Sequence, residues 1–125
     1  MSIGAAISMT SPDAGRIIAA ASLRAHERGE QCFVITVVRS ASDERTTEEQ
    51  EVVAHNLSLV MARNASPIVQ EADDVPEALM SVAKMFGIRT LFIGSPKPRL
   101  LRRSVAEKLV RLGPPFEIVV VTRSG

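Results

Sequence analysis

Tryptophan and tyrosine are absent from this chain of 125 residues, and phenylalanine occurs only four times. The core must therefore be built from smaller side chains, chiefly Val, Ile, Leu, Ala and Met. Hydrophobic residues make up 46% of the sequence. Intrinsically disordered chains have a low content of hydrophobic residues, so this composition indicates a folded chain. The length suits one compact core and is short for two, so we expect a single domain over residues 1–125.

Cysteine is also scarce, and the net charge of the chain is small. Cys32 is the only cysteine and cannot form a disulfide within the chain; it stands in an apolar run, where we expect a buried and unreactive thiol. A lone thiol fits a reducing cytoplasm, which is the localisation we expect. The 15 Lys and Arg nearly balance the 14 Asp and Glu, so only local clusters of charge can indicate a partner.

Long hydrophobic runs are missing as well. The most apolar stretches, such as "CFVITVV" and "EIVVVT", have the length of a strand, whereas a helix across a bilayer needs roughly 18 residues or more. The N-terminal stretch has no basic start and reaches Asp13 early, unlike a secretory signal. The sequence therefore predicts neither a membrane span nor a signal peptide.

Short β-branched runs alternate with stretches that have helical periodicity. The pattern predicts strands at 3–9, 31–38, 66–72, 90–94 and 116–122, and helices that begin near Ser11, Thr47, Asp74 and Arg102. Strands that alternate with helices of this length are typical of a parallel sheet between two helical layers. The predicted fold class is therefore α/β, a three-layer sandwich with a five-stranded parallel sheet.

Local signals set the expected ends and faces of these elements. Ser11 followed by Pro12 predicts a capped start of the first helix, and Gly29 and Gly87 predict helix ends. Pro67 places the third strand at a sheet edge. Helical spacing predicts that the second helix buries a stripe of Val53, Leu57, Val60 and Met61. It predicts that the third helix buries a stripe of Leu79, Val82, Ala83 and Phe86.

Two loops at the carboxyl ends of strands are the first places to look for a ligand. In an open parallel sheet, ligands bind where the strand order reverses. The loop after the fourth strand joins Gly94 to a set of cations and a helix start, which together favour an anion: Lys97, Arg99, Arg102 and Arg103. The alternative is that Gly94 only makes a tight turn and the cations are solvated.

The segment "EADDVPEALMSVAKMFGIRTLFIGSPKPRLLRRSVAEKLVR", together with the order of strands and helices, resembles the universal stress protein superfamily. The family's phosphate loop is matched at Gly94 and again from Ser104 to Leu109. Lys97 and Arg103 stand where this loop usually has glycines. The resemblance implies the strand order 3-2-1-4-5, which is the adenine nucleotide alpha hydrolase-like fold.

The first strand ends in Ser8-Met9-Thr10-Ser11, where members of the family that bind ATP usually have an aspartate. The cationic loop and the serine-rich turn resemble the stress-protein-like module of sensor histidine kinases for potassium and osmotic control, and modules appended to some transporters. The resemblance permits ATP, AMP or a cyclic dinucleotide as the ligand. It implies a nucleotide site formed by Thr10, Ser11, Val38, Gly94, Ser95, Lys97, Arg99, Arg103 and Ser104.

Two functions follow from this resemblance. One is a non-catalytic stress or signalling module that binds a small anionic nucleotide, or that has lost this binding and acts through protein contacts. The other is a universal stress protein that binds ATP and hydrolyses it slowly. The second lacks an evident magnesium ligand after the first strand.

Other candidate sites have simpler explanations. His26 and His55 fall on different predicted helices without a partner at metal-ligand spacing, so we expect both to face solvent. Asp73 and Asp74 precede a helix, where acids cap the helix start. Ser104 has no base nearby in the sequence that would make it a nucleophile. The cations lack interleaved aromatic residues, which argues against nucleic-acid binding.

The last strand is expected to be a dimer interface. Residues Phe116 to Thr122, "FEIVVVT", contain no proline or lysine, and Glu117 is their only charge. In the order 3-2-1-4-5 this strand lies at a sheet edge, and an unprotected edge invites pairing with another chain. The resemblance also implies a homodimer through this strand. The alternatives are a monomer whose C-terminal residues cover the edge, or a larger partner, such as a kinase or transporter, that covers it.

Overall fold

The computed structural model describes residues 1–38, 46–94 and 105–122. Its parallel strands are β1 (Ser2–Ile7), β2 (Gln31–Val38), β3 (Ser66–Glu71), β4 (Ile88–Gly94) and β5 (Glu117–Val121). The helices between them are α1 (Ala14–Arg28), α2 (Thr47–Ala62), α3 (Val75–Phe86) and α4 (Val105–Arg111). The sheet order is β3-β2-β1-β4-β5, which confirms the predicted fold class and strand order.

The core lies on both faces of this sheet. On one face α1 and α2 pack against β1, β2 and β4 through side chains such as Ile18, Val60 and Phe92. On the other face α3 and α4 pack through Leu79, Val82 and Leu109. Five consecutive residues of β2, 32–36, are buried, as its unbroken apolar run predicts for a strand covered on both sides.

Several predicted boundaries are confirmed. Gly29 and Gly87 both adopt the left-handed conformation at the ends of α1 and α3, with φ of 64° in each. Asp74 caps α3, and its carboxylate accepts a hydrogen bond from the backbone N–H of Glu77 at 3.1 Å. β3 lies at one edge of the sheet, as Pro67 predicts.

The predicted start of α1 at Ser11 is wrong. The helix begins at Ala14, with Asp13 at its N-cap position. Residues 8–11 instead form a turn in which the backbone N–H of Ser11 donates to the carbonyl of Ser8 at 3.0 Å, and the Ser11 hydroxyl accepts from the backbone N–H of Asp13 at 3.2 Å. The serine oxygen caps a turn rather than a helix, a competition that short hydroxyl side chains often win.

The predicted cap and stripe of α2 also need correction. Thr46, rather than Thr47, is the N-cap residue, and it forms a reciprocal capping box with Glu49. Leu57 and Met61 are 42% and 80% exposed, so they do not belong to the buried stripe. Asn56 is buried in their place, beside Val60. In α3 the stripe is confirmed except for Phe86, which is 37% exposed although its ring lies 5.0 Å from that of Phe33.

Candidate functional site

The strand order reverses between β1 and β4, and this junction is the switch point of the sheet. β1 pairs with β2 on one side and with β4 on the other, and Ala6 is the register partner of Ile93. The carboxyl ends of the two strands, at Ile7 and Gly94, therefore lie side by side. Because the connections leave this point toward opposite faces, the loops there diverge and leave room for a ligand.

Residues 8–13, which we call the switch-point loop, connect β1 to α1. The hydroxyl oxygens of Ser8 and Thr10 are 3.1 Å apart and form a hydrogen bond. Ser8 is exposed and Thr10 is partly buried, whereas Met9 between them is only 8% exposed and belongs to the core. The loop thus has an apolar anchor and two hydroxyls, which can donate to or accept from a phosphate or a sugar.

A buried side-chain amide on α2, that of Asn56, forms hydrogen bonds with the backbone of this loop. Asn56 is 1% exposed, and its Nδ2 donates to the backbone carbonyl of Met9 at 2.8 Å and to that of Ser11 at 3.1 Å. Sequence reasoning missed this residue, because an asparagine within a helix is usually solvated. The available signal was its position in register with Val53 and Val60, on the face of α2 that turns toward the core.

Gly94 ends β4 where α1 approaches the sheet closely. A Cβ at Gly94 would lie 3.0 Å from Cδ1 of Ile17, a buried residue of α1. That separation is tighter than most real Cβ contacts, so a side chain here would require Ile17 to shift. The glycine therefore has a packing role, because it lets α1 approach the end of β4.

Val38 ends β2 on the other side of β1. It is partly buried, pairs in register with Glu71 of β3, and its carbonyl accepts the backbone N–H of Ala72 at 2.9 Å. Since β2 and β4 flank β1, Val38 and Gly94 stand on opposite sides of the switch-point loop. The structure thus places Thr10, Ser11, Val38 and Gly94 at the carboxyl-terminal ends of the three neighbouring strands β2, β1 and β4.

The remaining predicted site residues lie outside the described residues. They are Ser95, Lys97, Arg99, Arg103 and Ser104. The structure therefore leaves the cationic part of the predicted site as a prediction.

The two histidines and the cysteine have the exposure that the sequence predicts. His26 and His55 are exposed on different helices, and within the described ranges no group of three or more His, Cys, Asp or Glu could hold a metal ion. Cys32 is 7% exposed, and burial raises the pKa of its thiol to about 11, so the reactive thiolate is disfavoured at neutral pH. In the part of the chain that the structure covers, no helix is both long enough and apolar enough to span a bilayer.

Comparison with known proteins gives a structural answer only. No protein-family model matches the chain, and no curated protein matches its sequence. Among solved structures, a universal stress protein from Archaeoglobus fulgidus superposes with a TM-score of 0.71 at 21% identity, over 96% of this chain and 92% of that protein. A universal stress protein in complex with cAMP gives 0.74 at 14% identity, over 99% and 98% of the two chains.

A third structure is that of the Archaeoglobus fulgidus universal stress protein in complex with dAMP, with a TM-score of 0.66, 18% identity and 96% of both chains covered. At these identities the likeness concerns the course of the backbone. It extends over nearly the whole chain and includes the sheet order that creates the switch point. The chain therefore has the fold of the universal stress proteins.

Proposed function

We propose that this chain is a nucleotide-binding module of the universal stress protein type, formed by residues 1–125 as one domain. The observation that carries the proposal is the switch-point loop: two hydroxyls stand at the end of β1, between Val38 and Gly94, at the point where α/β folds bind ligands. The cAMP and dAMP complexes of proteins with this fold support an adenine nucleotide as the ligand.

The ligand class follows from the chemistry of the site residues. Ser8, Thr10 and Ser11 offer hydroxyl groups, which bind phosphate or ribose oxygens. In the proposed site, Lys97, Arg99 and Arg103 supply positive charge for the phosphate, and Ser95 and Ser104 add hydroxyls. A small anionic nucleotide satisfies both sets of groups.

We further propose that binding does not need magnesium and that the module is not a catalyst. The residues that follow β1 directly, Ser8 to Ser11, carry no carboxylate, and the one acid of the switch-point loop, Asp13, stands at the N-cap position of α1. Mg²⁺ is usually held in nucleotide sites by one or two carboxylates besides the phosphates. This sequence feature favours AMP, cAMP or a cyclic dinucleotide over the magnesium complex of ATP. Slow ATP hydrolysis is the alternative function, and a module that has lost its nucleotide is a variant of the first.

Calorimetric titration separates these functions. We expect AMP, cAMP or a cyclic dinucleotide to bind with a dissociation constant that is the same in EDTA and in magnesium. Arg103→Ala should weaken binding roughly tenfold or more, because a hydrogen bond to a charged group is worth about 1.5–3 kcal/mol. Arg111→Ala, at the far end of α4, is the matched control and should leave the affinity unchanged.

Magnesium-dependent ATP binding with turnover would support the alternative function instead. Absence of binding by every nucleotide tested would contradict the proposal and favour a module that acts through protein contacts alone.

We also propose that two copies pair through β5. This strand is an edge of the sheet, and Val120 is 43% exposed on it. On α4, Val110 is 63% exposed. Residues 108, 111 and 112 line the cleft between α4 and α3. Because a helix turns about 100° per residue, Val110 lies on the opposite side of α4 from this cleft. The β5 edge is therefore flanked by exposed apolar side chains, which pairing would bury.

The opposite edge is less suited to pairing. β3 contains Pro67, which has no N–H to donate, and it ends in the polar pair Gln70 and Glu71. This contrast supports a homodimer through residues 116–122. A stress or signalling role in the cytoplasm, alone or beside a kinase or transporter domain, is consistent with a binding module that carries out no chemistry.

A further inference from the structure

Asn56 is an unusual residue for the inner face of α2. Of the described side chains on that helix, only Asn56 and Val60 are buried, and Asn56 is the more polar by far. Burying an amide costs free energy unless hydrogen bonds replace those it made with water. An apolar side chain would avoid that cost, so packing alone does not account for an asparagine here.

The hydrogen bonds of Asn56 reach a distant segment. Its amide group donates to the carbonyls of Met9 and Ser11, which are 47 and 45 residues away in the chain. Both carbonyls belong to the switch-point loop, and Thr10 lies between them. The amide nitrogen thus uses both of its protons on the loop.

These two bonds complement the bonds that the loop makes within itself. The Ser11 N–H donates to the Ser8 carbonyl, and the Ser11 hydroxyl accepts from the Asp13 N–H. Those local bonds fix the curvature of the turn but not its distance from α2. Asn56 supplies the second restraint, and with it the position of the Ser8 and Thr10 hydroxyls relative to the sheet.

We propose that Asn56 is the positioning residue of the nucleotide site: it holds the switch-point loop in the conformation that presents the hydroxyls of Ser8 and Thr10 to the ligand. This inference rests on the proposed nucleotide function. Asn56 acts through the loop and does not touch the ligand. A loop that is ordered before binding loses less conformational entropy when the ligand arrives, so loss of the restraint weakens binding.

The first test is amide hydrogen exchange on Asn56→Leu, which keeps the branching of the side chain at Cγ but removes both donors. We expect the amides of Ser11 and Asp13 to exchange at least tenfold faster than in the wild type, because the loop loses both hydrogen bonds that tie it to α2. Ser58→Ala is the matched control, since its hydroxyl bonds only to the Ala54 carbonyl within α2. Equal loop exchange in the two variants would overturn the proposal.

A second measurement needs no variant and decides the matter if Asn56→Leu does not fold. The chain has one other asparagine, Asn64, which is exposed just beyond the end of α2. In the wild type, the side-chain amide protons of Asn56 should exchange with solvent at least tenfold more slowly than those of Asn64. Equal exchange of the two side chains would show that the hydrogen bonds to Met9 and Ser11 do not persist, and would refute the positioning role.

The third measurement is the affinity for AMP. We expect Asn56→Leu to raise the dissociation constant roughly tenfold relative to Ser58→Ala. An unchanged affinity together with faster loop exchange would refute the role in binding while leaving the restraint on the loop established. If the wild type binds neither AMP nor any other nucleotide, the proposed function fails and the assignment of Asn56 to a nucleotide site fails with it. The exchange data still decide separately whether Asn56 fixes the loop.

Discussion

Gly4 is a single residue at which the sheet leaves no room for a methyl group. A Cβ at this position would lie 3.0 Å from Cδ1 of Ile88, 3.1 Å from Cδ1 of Leu91 and 3.3 Å from Cδ1 of Ile35. All three neighbours are buried, so none can move into solvent. Gly15 differs because its Cβ would meet only Cδ1 of the partly exposed Leu59, at 3.0 Å.

This difference predicts the effect of adding one methyl group. Gly4→Ala should lower the free energy of unfolding by about 1–3 kcal/mol, because overpacking a buried site forces neighbouring side chains out of their rotamers. Gly15→Ala should be close to neutral, since the gain in helix propensity offsets a contact that Leu59 can relieve. Urea denaturation of the two variants measures both. Equal destabilisation would contradict the packing described for Gly4.

Cys32 gives a prediction about pH. Burial raises the pKa of its thiol from 9.0 to about 11 in the folded chain, so the unfolded chain loses this proton first as pH rises. The stability that Cys32 contributes is therefore fully present below pH 9 and is lost between about pH 9 and 11. The difference in stability between the wild type and Cys32→Ala should shrink by roughly 2 kcal/mol over that range. A difference independent of pH would mean that the thiol is not buried.

At the scale of elements, the helix starts show how local hydrogen bonds select boundaries. Thr46 and Thr47 are adjacent and chemically identical, yet only Thr46 forms the capping box with Glu49. Thr46→Ala should therefore lower the free energy of unfolding by about 1 kcal/mol. Thr47→Ala, inside the first turn, should have almost no effect. Thermal or urea unfolding compares the two, and a larger loss for Thr47→Ala would show that the helix begins one residue later.

The order of elements could be predicted from the sequence because each strand and helix has its own local pattern. The β-branched run of β2 and the glycines after α1 and α3 each specify a conformation without help from distant residues. The start of α1 could not be predicted, because Ser11 can cap either a helix or a turn. The outcome depends on a turn that is anchored by Asn56.

The candidate site could be predicted in part, because some of its residues are specified by local sequence patterns. The loop after β1 and the glycine that ends β4 follow from the place of strand ends in an α/β sheet. The stripe of α2 was mispredicted because Leu57 and Met61 have the right spacing but face solvent. The role of Asn56 depends on carbonyls more than forty residues away in the chain, which periodicity cannot reveal.

At the scale of the whole molecule, the two sheet edges predict how copies associate. Val120→Lys places a charge on the β5 edge and should convert a homodimer into a monomer, because pairing would bury the ammonium group. Val69→Lys is the matched control on β3, where the valine is already 66% exposed. Light scattering at micromolar concentration measures the mass of each variant. A wild type that is monomeric, or a dimer that tolerates lysine at position 120, would contradict the β5 interface.

The proposed function requires that a nucleotide binds at the junction of β1 and β4. A titration with AMP followed by the backbone amide resonances of the protein tests it most directly, since each amide reports its own surroundings. We expect the resonances of Thr10, Ser11, Val38 and Gly94 to shift in a saturable way. The amide resonances of residues that line the cleft between α3 and α4, such as Glu77 and Leu112, should not shift. Shifts confined to that cleft, or none at saturating AMP, would contradict it.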